Sequence, residues 1–402
     1  MSSVRRWLLF DEIGQGFKSL QVSASRPLVA VRLSGAERPV GTTEWLTYDE
    51  VVGDRLHVWN RATGLEHEEV CEPAEAFHTQ LPFDLRAEAR DLARDFPGST
   101  GRGPVPVLLV TERRQNGTVE HAVFSCSRIR ESGMLFSRIW VGTHPTGRPL
   151  PAVVSQACEE GKSLHERFSD ESAQYRQFEE GVEIELKFTL LDDPHPWVIA
   201  SDLARAVQRR ELEGFIPDLG TELQRWSYEQ DTFEILSPAD KAGYVAFMRY
   251  YDGTYIVKYK FFEQDTLRRI ERFDEGVVLE PEGFADYIRS AIKDAEIRAL
   301  PHMTRTRFDV NVESALTGHF FGLEVDEVRA EGRVLRQLEI EYHKSRACHG
   351  VTGETMEPEL FRLGQEADRL LADWGVRAEL GYLSKLSFLK EVAAGTMAPT
   401  AS

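Results

Sequence analysis

The second half of the chain alternates charged with apolar residues, segment after segment. In GVEIELKFTL, Glu183, Glu185 and Lys187 are interleaved with Ile184, Leu186 and Phe188. The same rhythm returns as Lys258 and Lys260 in YIVKYKFF and as Arg269 and Glu271 in LRRIERF. It returns again as Arg305 and Arg307 in TRTRFDV and as Glu339 and Glu341 in LEIEYHK. Side chains two residues apart lie on one side of a strand. Paired carboxylates supply the oxygen donors that Mg2+ or Mn2+ prefers. Rows of Lys and Arg are matched to phosphate oxygens. A divalent metal together with a polyphosphate would satisfy both sets.

A charged strand face is ordinarily a solvated one, and an antiparallel sheet with one wet face shows the same alternation. Taken alone, Glu183-x-Glu185-x-Lys187 therefore carries little weight. The number of such strands and their order favour a closed sheet whose charged faces point inward. The product would be a polar tunnel lined by basic residues and two carboxylate pairs.

The elements needed to position these groups can be read from patterning. A length of 402 residues favours two or three domains over one. Residues 1–150 read as a small α+β domain, with strands in PLVAVRL, RLHVWN and VPVLLVTE and a hairpin at Asn116-Gly117. A helix, broken by Pro82, is expected in EPAEAFHTQLPFDLRAEARDLARDF. Residues 151–180 read as a helical linker. Residues 181–395 are strand-rich, with helices in PWVIASDLARAVQRREL, EPEGFADYIRSAIKDAEIRAL and EPELFRLGQEADRLLADWGV and a short last one in LGYLSKLSFLKEV. Mostly local connections suggest an antiparallel barrel. The fold class is α+β: an eight-stranded antiparallel β tunnel with flanking helices, preceded by the small α+β domain.

Composition narrows the function classes. The net charge of −18 argues against nucleic acid as a partner, although a basic lining or a metal can invert the sign inside one cavity. No apolar run approaches the ~20 residues of a membrane span, so no membrane partner is expected. The start, MSSVRRWLLFDEIGQG, lacks the apolar core and cleavage site of a secretory signal. Cys71, Cys126, Cys158 and Cys348 are scattered without a CxxC pair, which fits a reducing cytoplasm better than a disulfide scaffold or zinc ribbon.

From Glu183 to about Val392 the order of motifs resembles the CYTH superfamily, the triphosphate tunnel metalloenzymes. Glu183-Ile-Glu185-Leu-Lys187 matches the ExExK signature of its first strand. YEQDT, IVKYK, RRIER, TRTRF and LEVDEVRAEGRVLRQLEIE are similar to later strands in the same order, and SKLSFL is similar to the terminal helix. Arg249 in FMRYY is similar to a remnant of a Leu-Arg-x-Arg strand, with Phe247 where another Arg is usual.

The resemblance implies a triphosphate and one or two divalent metals, Mg2+ or Mn2+, inside the tunnel. It implies Glu183, Glu185, Glu339 and Glu341 as metal ligands, with Asp326 in support. Arg249, Lys258, Lys260, Arg269, Arg305 and Arg307 would bind substrate, with Arg269 and Glu271 in the wall. Catalysis would fall to Lys187, Glu183 and Glu185, with Lys187 clamping developing phosphate charge. The leading expectation is a metal-dependent phosphohydrolase acting on tripolyphosphate, thiamine triphosphate or a nucleoside triphosphate. A class IV-type adenylate cyclase and a non-hydrolytic nucleotide- or polyphosphate-binding protein stand as alternatives. Residues 1–150 would serve a homodimer contact or a protein partner.

Three smaller signals have plain structural readings. His343 and His349 lack the spacing of common metal-binding pairs and read as surface or turn residues. Gly14 and Gly16 in DEIGQG lack the third glycine of a phosphate loop. The Tyr- and Phe-rich run from Tyr244 to Phe262 has the period-two pattern of barrel packing.

Overall fold

Alternating apolar residues separated by turn-forming Gly and Asn produce two antiparallel sheets in the computed structural model. It describes residues 4–12, 28–33, 40–47, 50, 55–59, 66–70, 104–130, 133–168, 170, 172–191, 193–218 and 223–395. The expected helix in residues 72–96 lies outside the described residues, as do Gly14 and Gly16. The chain divides into two units. One comprises Met1–Arg176, Ser314–Gly318 and Ser345–Thr352, and the other holds the remainder.

Among the described residues of the first unit, eight strands form one sheet. They are β1 (Val4–Glu12), β2 (Leu28–Leu33), β3 (Thr43–Thr47), β4 (Arg55–Trp59), β5 (Glu66–Val70), β6 (Pro104–Gln115), β7 (Thr118–Arg130) and β8 (Gly133–Pro145). Their spatial order is β3-β8-β7-β6-β1-β2-β4-β5. The β6–β7 hairpin turns at Asn116 and Gly117, with φ of 44° and 82°, the positive-φ pair that a two-residue turn between twisted strands requires. Leu8, Phe10, Leu46, Leu109, Phe124 and Phe136 form a core on one face. Helices α1 (Leu150–Glu160) and α2 (Lys162–Arg167) also fall in this unit.

Two-residue β9 (Tyr175–Arg176) ends the first unit's leading segment, and the second unit has eight long strands among its described residues. β10 (Val182–Leu190), α3 (Pro196–Gln208) and β11 (Phe215–Pro217) are followed by β12 (Gln224–Ser237), β13 (Gly243–Arg249), β14 (Tyr255–Phe261) and β15 (Arg268–Val277). Then come α4 (Phe284–Ala291), β16 (Glu296–Ala299), β17 (Met303–Ser314), β18 (His319–Ala330) and β19 (Arg333–Arg346). The chain closes with α5 (Met356–Asp373), β20 (Ala378–Gly381) and α6 (Lys385–Ala394). The helix expected across EPEGFADYIRSAIKDAEIRAL is therefore shorter. It ends where Ile292 leaves helical geometry, and the segment's last residues pair with β12 as β16.

Pairing runs β17-β18-β19-β10-β15-β14-β13-β12, and the outer part of β12 also pairs with β17. The sheet thus curls until its first and last long strands meet. The long β12 makes this work, because Gln224–Gln230 face β17 while Gln230–Ile235 face β13.

Apolar residues on the outer face carry the helices. Ile184, Leu186 and Phe188 pack with Ile199, Leu203 and Val207 of α3 and with Leu360, Leu363 and Leu371 of α5. Val257 and Tyr259 pack with Phe284 and Ile288 of α4. Helix α6 is the exception, packing Leu386, Phe388 and Leu389 against Tyr244, Ala246 and Met303 of the inner face. Among the described residues, no helix is long and apolar enough to cross a membrane.

Gly243 opens β13 at φ 138°, and a Cβ there would fall 2.0 Å from the Lys260 carbonyl oxygen. Gly253, at φ 88° in the β13–β14 turn, has nothing within 4 Å of that position. Gly243→Ala is expected to lower the unfolding free energy by about 3 kcal/mol or more. Gly253→Ala, which carries only the left-handed backbone cost, should lose about 1 kcal/mol. Urea denaturation of the two variants measures the difference.

Candidate functional site

Because Ile184, Leu186 and Phe188 face the helices, Glu183, Glu185 and Lys187 must face the other side of β10. There, Glu185 stands opposite Glu341 and Lys187 opposite Glu339 on β19. The inner face encloses a cavity of about 740 Å³, whose charged lining includes Glu183, Lys258, Lys260, Arg305, Arg307 and Lys385. Glu339 and Glu341 line it as well.

One part of this interior gathers cations around two carboxylates. Arg305 donates from Nε to Asp326 Oδ1 at 2.9 Å and from Nη2 to Glu339 Oε2 at 3.0 Å. Arg307 donates from Nε to Asp326 Oδ1 at 3.0 Å and from Nη2 to Glu339 Oε2 at 2.7 Å. Lys385 Nζ lies 2.8 Å from Asp326 Oδ2 and also contacts Glu339. Lys187 reaches Glu339 from β10. Burial would raise the Glu339 carboxyl, but Lys187, Lys385 and Arg307 hold it well below the usual carboxylate range. Asp326, more completely enclosed, is pushed up by burial against the pull of Arg307 and Lys385. The Tyr228 hydroxyl accepts from Arg305 at 2.8 Å and fixes the guanidinium plane.

Another part gathers carboxylates. Glu183, Glu185 and Glu341 offer oxygens that all lie within 4.8 Å of one another. A second group, Glu324, Glu341 and His343, meets the same limit and shares Glu341. Burial and the neighbouring Glu185 push Glu183 up to about 7, although Lys260 and Lys258 oppose the shift. For Glu341, burial acts together with Glu324, Glu183 and Glu185, and the carboxyl is held well above its ordinary value. Among the described residues, Glu341 has no cation within ion-pairing distance. Glu185 is different. Burial would raise it, but Lys187 at 2.9 Å and Lys260 at 3.5 Å help to hold it well below its ordinary value.

A trio of converging carboxylates, one of them without a cation, fits a hard divalent ion. Glu183 and Glu185 would hold such an ion together with Glu341. Glu339 and Asp326, expected as metal ligands, instead point into the cation cluster.

The other expected residues divide by position. Lys258 contacts Glu271 and lies 3.8 Å from Glu183, while Lys260 contacts Glu183. Arg269 is 2% exposed and absent from the cavity lining. Its guanidinium contacts Glu185 and donates to the Tyr382 carbonyl at 2.9 Å, so it braces a carboxylate from behind. Lys187 is buried between Glu185 and Glu339, and these carboxylates keep it protonated against the cost of burial.

Arg249 lines the cavity from its rim and is exposed at the end of β13. Phe247, two residues earlier, stacks outside on Phe284 at 3.9 Å. The inward positions of β13 are therefore Tyr244, Ala246 and Met248, and none carries charge. His343 is not a plain surface residue, since its Nε2 lies 3.6 Å from Glu324. His349, by contrast, stands in the turn after β19.

Lys385 and Glu324 were not singled out by sequence. Glu324 stands two residues before Asp326 on β18, so strand period alone could have found it. Lys385 follows the Ser384 cap, whose hydroxyl accepts from Ser387 N at 3.0 Å. Its placement depends on how α6 docks, which no local pattern reveals.

No family model matches the chain, and no curated protein matches it. Two solved structures share a partial likeness. One is a candidate adenylyl cyclase from Hippeastrum described as having a dominant triphosphatase activity. It is 16% identical over 54% of this chain and 98% of its own length, at a TM-score of 0.34. The other is a candidate adenylate cyclase from Bacillus halodurans. It is 12% identical over 48% of this chain and 91% of its own length, at a TM-score of 0.27. With TM-scores below 0.5, neither likeness bears on what this chain binds.

Proposed function

We propose that the second unit is a divalent-metal-dependent phosphohydrolase that binds a triphosphate inside a charged β tunnel. The observation that carries this reading is the Glu183–Glu185–Glu341 trio, of which Glu183 and Glu341 line the same cavity as Arg305, Arg307 and Lys385. A solvated strand face gives no reason for such groups to be buried together.

Arg305, Arg307 and Lys385 would bind phosphate oxygens, exchanging part of their contact with Glu339 and Asp326 for the ligand. Lys258 and Lys260 would hold the remaining phosphate charge. Lys187 would act as a positioning residue, because an ammonium kept protonated by two carboxylates cannot accept a proton. Glu183, beside the ion, would accept a hydrogen bond from an attacking water and orient it. Mg2+ or Mn2+, held by Glu183, Glu185 and Glu341, would supply charge neutralisation and polarise the phosphoryl oxygens. Phosphoryl transfer asks little else of a protein beyond alignment and charge stabilisation.

Glu183→Gln combined with Glu185→Gln is expected to lower metal-dependent phosphate release from tripolyphosphate or a nucleoside triphosphate by about 100-fold or more. Circular dichroism should show the variant folded. Retained turnover in the folded variant counts against the assignment. Cyclic nucleotide and pyrophosphate as products, in place of orthophosphate, would replace hydrolysis with cyclisation.

A second expectation follows from the raised carboxyls. Glu183 binds its proton more tightly folded than unfolded, so its contribution to folding is fully present below its ordinary 4.5 and is lost as pH rises through about 7. A bound divalent ion requires the deprotonated form and offsets the loss. Mn2+ should therefore raise Tm more at about pH 7.5 than at about pH 5.5. An equal or reversed increment, read by differential scanning calorimetry, would remove these carboxylates from the metal site.

A further inference from the structure

Of the cations that line the cavity, Arg249, Lys258, Lys260, Arg305 and Arg307 stand on strands, whereas Lys385 stands on a helix. Hydrogen bonds to neighbouring strands fix the point from which a strand residue's side chain departs. Lys385 has no such ladder. Its side chain is nevertheless buried, with Nζ 2.8 Å from Asp326 Oδ2. The residues before it account for this placement. β20 ends at Gly381, opposite Lys187 on β10. Each of the next three residues is then tied by a side chain from elsewhere in the second unit. Arg269 on β15 donates from Nη2 to the Tyr382 carbonyl at 2.9 Å. Gln337 on β19 donates from Nε2 to the Leu383 carbonyl at 2.9 Å. Asp265, between β14 and β15, accepts on Oδ2 from Ser384 N at 3.2 Å and from the Ser387 hydroxyl at 2.9 Å.

An ordinary helix start does not need these bonds. The Ser384 hydroxyl already caps α6 by accepting from Ser387 N at 3.0 Å, and Leu386, Phe388 and Leu389 supply its packing. What the three ties add is a fixed origin for the residue that follows them, Lys385. Gln337 is 0% exposed, so its amide has given up water to make this bond. Arg269 holds two things at once, because its Nη1 also contacts Glu185 of the carboxylate trio. Asp265 and Gln337 touch neither the trio nor the cavity lining. Any effect they have on a ligand in the cavity must pass through another side chain.

We propose, resting on the triphosphate reading above, that Tyr382–Ser384 is a built clamp that aims Lys385 at the phosphates, and that Asp265 and Gln337 are positioning residues acting through Lys385. A lysine side chain is long and flexible, and fixing it on a ligand loses rotamer freedom. With its origin held, less is left to lose. Without the clamp, α6 keeps its cap and its apolar contacts, but the ammonium must find the phosphates from a looser start.

The test is a double-mutant cycle on kcat/KM for tripolyphosphate with Mg2+. Asp265→Ala is expected to lower kcat/KM about ten-fold, the scale of one lost hydrogen bond to a charged group. Asp265→Asn keeps an oxygen that can accept both bonds and should recover most of that loss. Gln337→Met, on another strand, removes the donor with little change of volume and should reproduce it. Should Gln337→Met fail to fold, the two Asp265 variants, in a half-buried loop, decide alone. In a Lys385→Ala background each substitution should change kcat/KM by about two-fold or less, because the group it aims is gone. A merely structural role predicts the same loss in both backgrounds, and that result overturns the clamp. Unchanged kcat/KM in Asp265→Ala overturns it too. Titration calorimetry with tripolyphosphate and no divalent ion separates this proposal from the hydrolytic one. Binding that Asp265→Ala weakens only when Lys385 is present, without phosphate release from any triphosphate, sustains the clamp and removes hydrolysis. Turnover with losses that add independently of Lys385 does the reverse. Neither binding nor turnover in wild type overturns both.

Discussion

Charges this far inside a sheet can exist only in one another's company. Stripping water from a carboxylate or a guanidinium costs several kcal/mol even after relaxation, and the cost is recovered only through close opposite charge and well-formed hydrogen bonds. Glu339 meets that demand four times over, through Lys187, Arg305, Arg307 and Lys385. Asp326 shares three of those partners. No member of this group can be considered separately, because removing one leaves its partners buried and uncompensated. Substitutions within the group will therefore not add as independent effects do.

The rest of the second unit follows from the need to keep such a group together. A flat sheet would leave its charged face in water, where each pair contributes little. Arg305, Arg307, Asp326, Glu339 and Lys187 share one face of the neighbouring strands β17, β18, β19 and β10, and curling the sheet until β12 meets β17 turns that face inward. Once the charges are inside, the apolar positions between them are outside and must be covered. Helices α3, α4 and α5 do this, and their cores are the same residues that interrupt the charged runs. Helix α6 differs, since it meets the inward-facing Tyr244 and brings Lys385 to the cavity.

Much of this was legible in the sequence, for a physical reason. A strand has a period of two, so charge alternating with apolar residues assigns faces without further information, and Glu183, Lys260, Arg305 and Glu341 were all readable in that way. What the pattern cannot state is the destination of a carboxylate once it points inward. Glu339 and Glu341 are identical by pattern, yet one is enclosed by cations and the other faces Glu183, Glu185 and Glu324. Their difference arises from neighbours on other strands and on α6, which are remote in sequence. Arg249 shows a second limit. Its period-two neighbour Phe247 is an outward core residue, so counting from a motif placed it on the wrong face, and only the end of β13 lets its side chain reach the rim. Arg269 shows a third, because an inward charge in a crowded wall braces other side chains and does not face the cavity.

The unequal division of charge inside the cavity is the feature that a merely structural network would not require. If stability alone had shaped the interior, the cations gathered on Glu339 and Asp326 would be distributed to neutralise Glu341 as well, or apolar residues of similar volume would stand in their place at no loss of stability. Instead, carboxylates repel one another around Glu341 while cations crowd a short distance away. That separation raises Glu341 and Glu183 and lowers Glu339. A ligand carrying a cation at one end of its contacts and concentrated negative charge at the other would relieve both excesses together. On the proposed function, that relief would add to the affinity for a partner with that polarity.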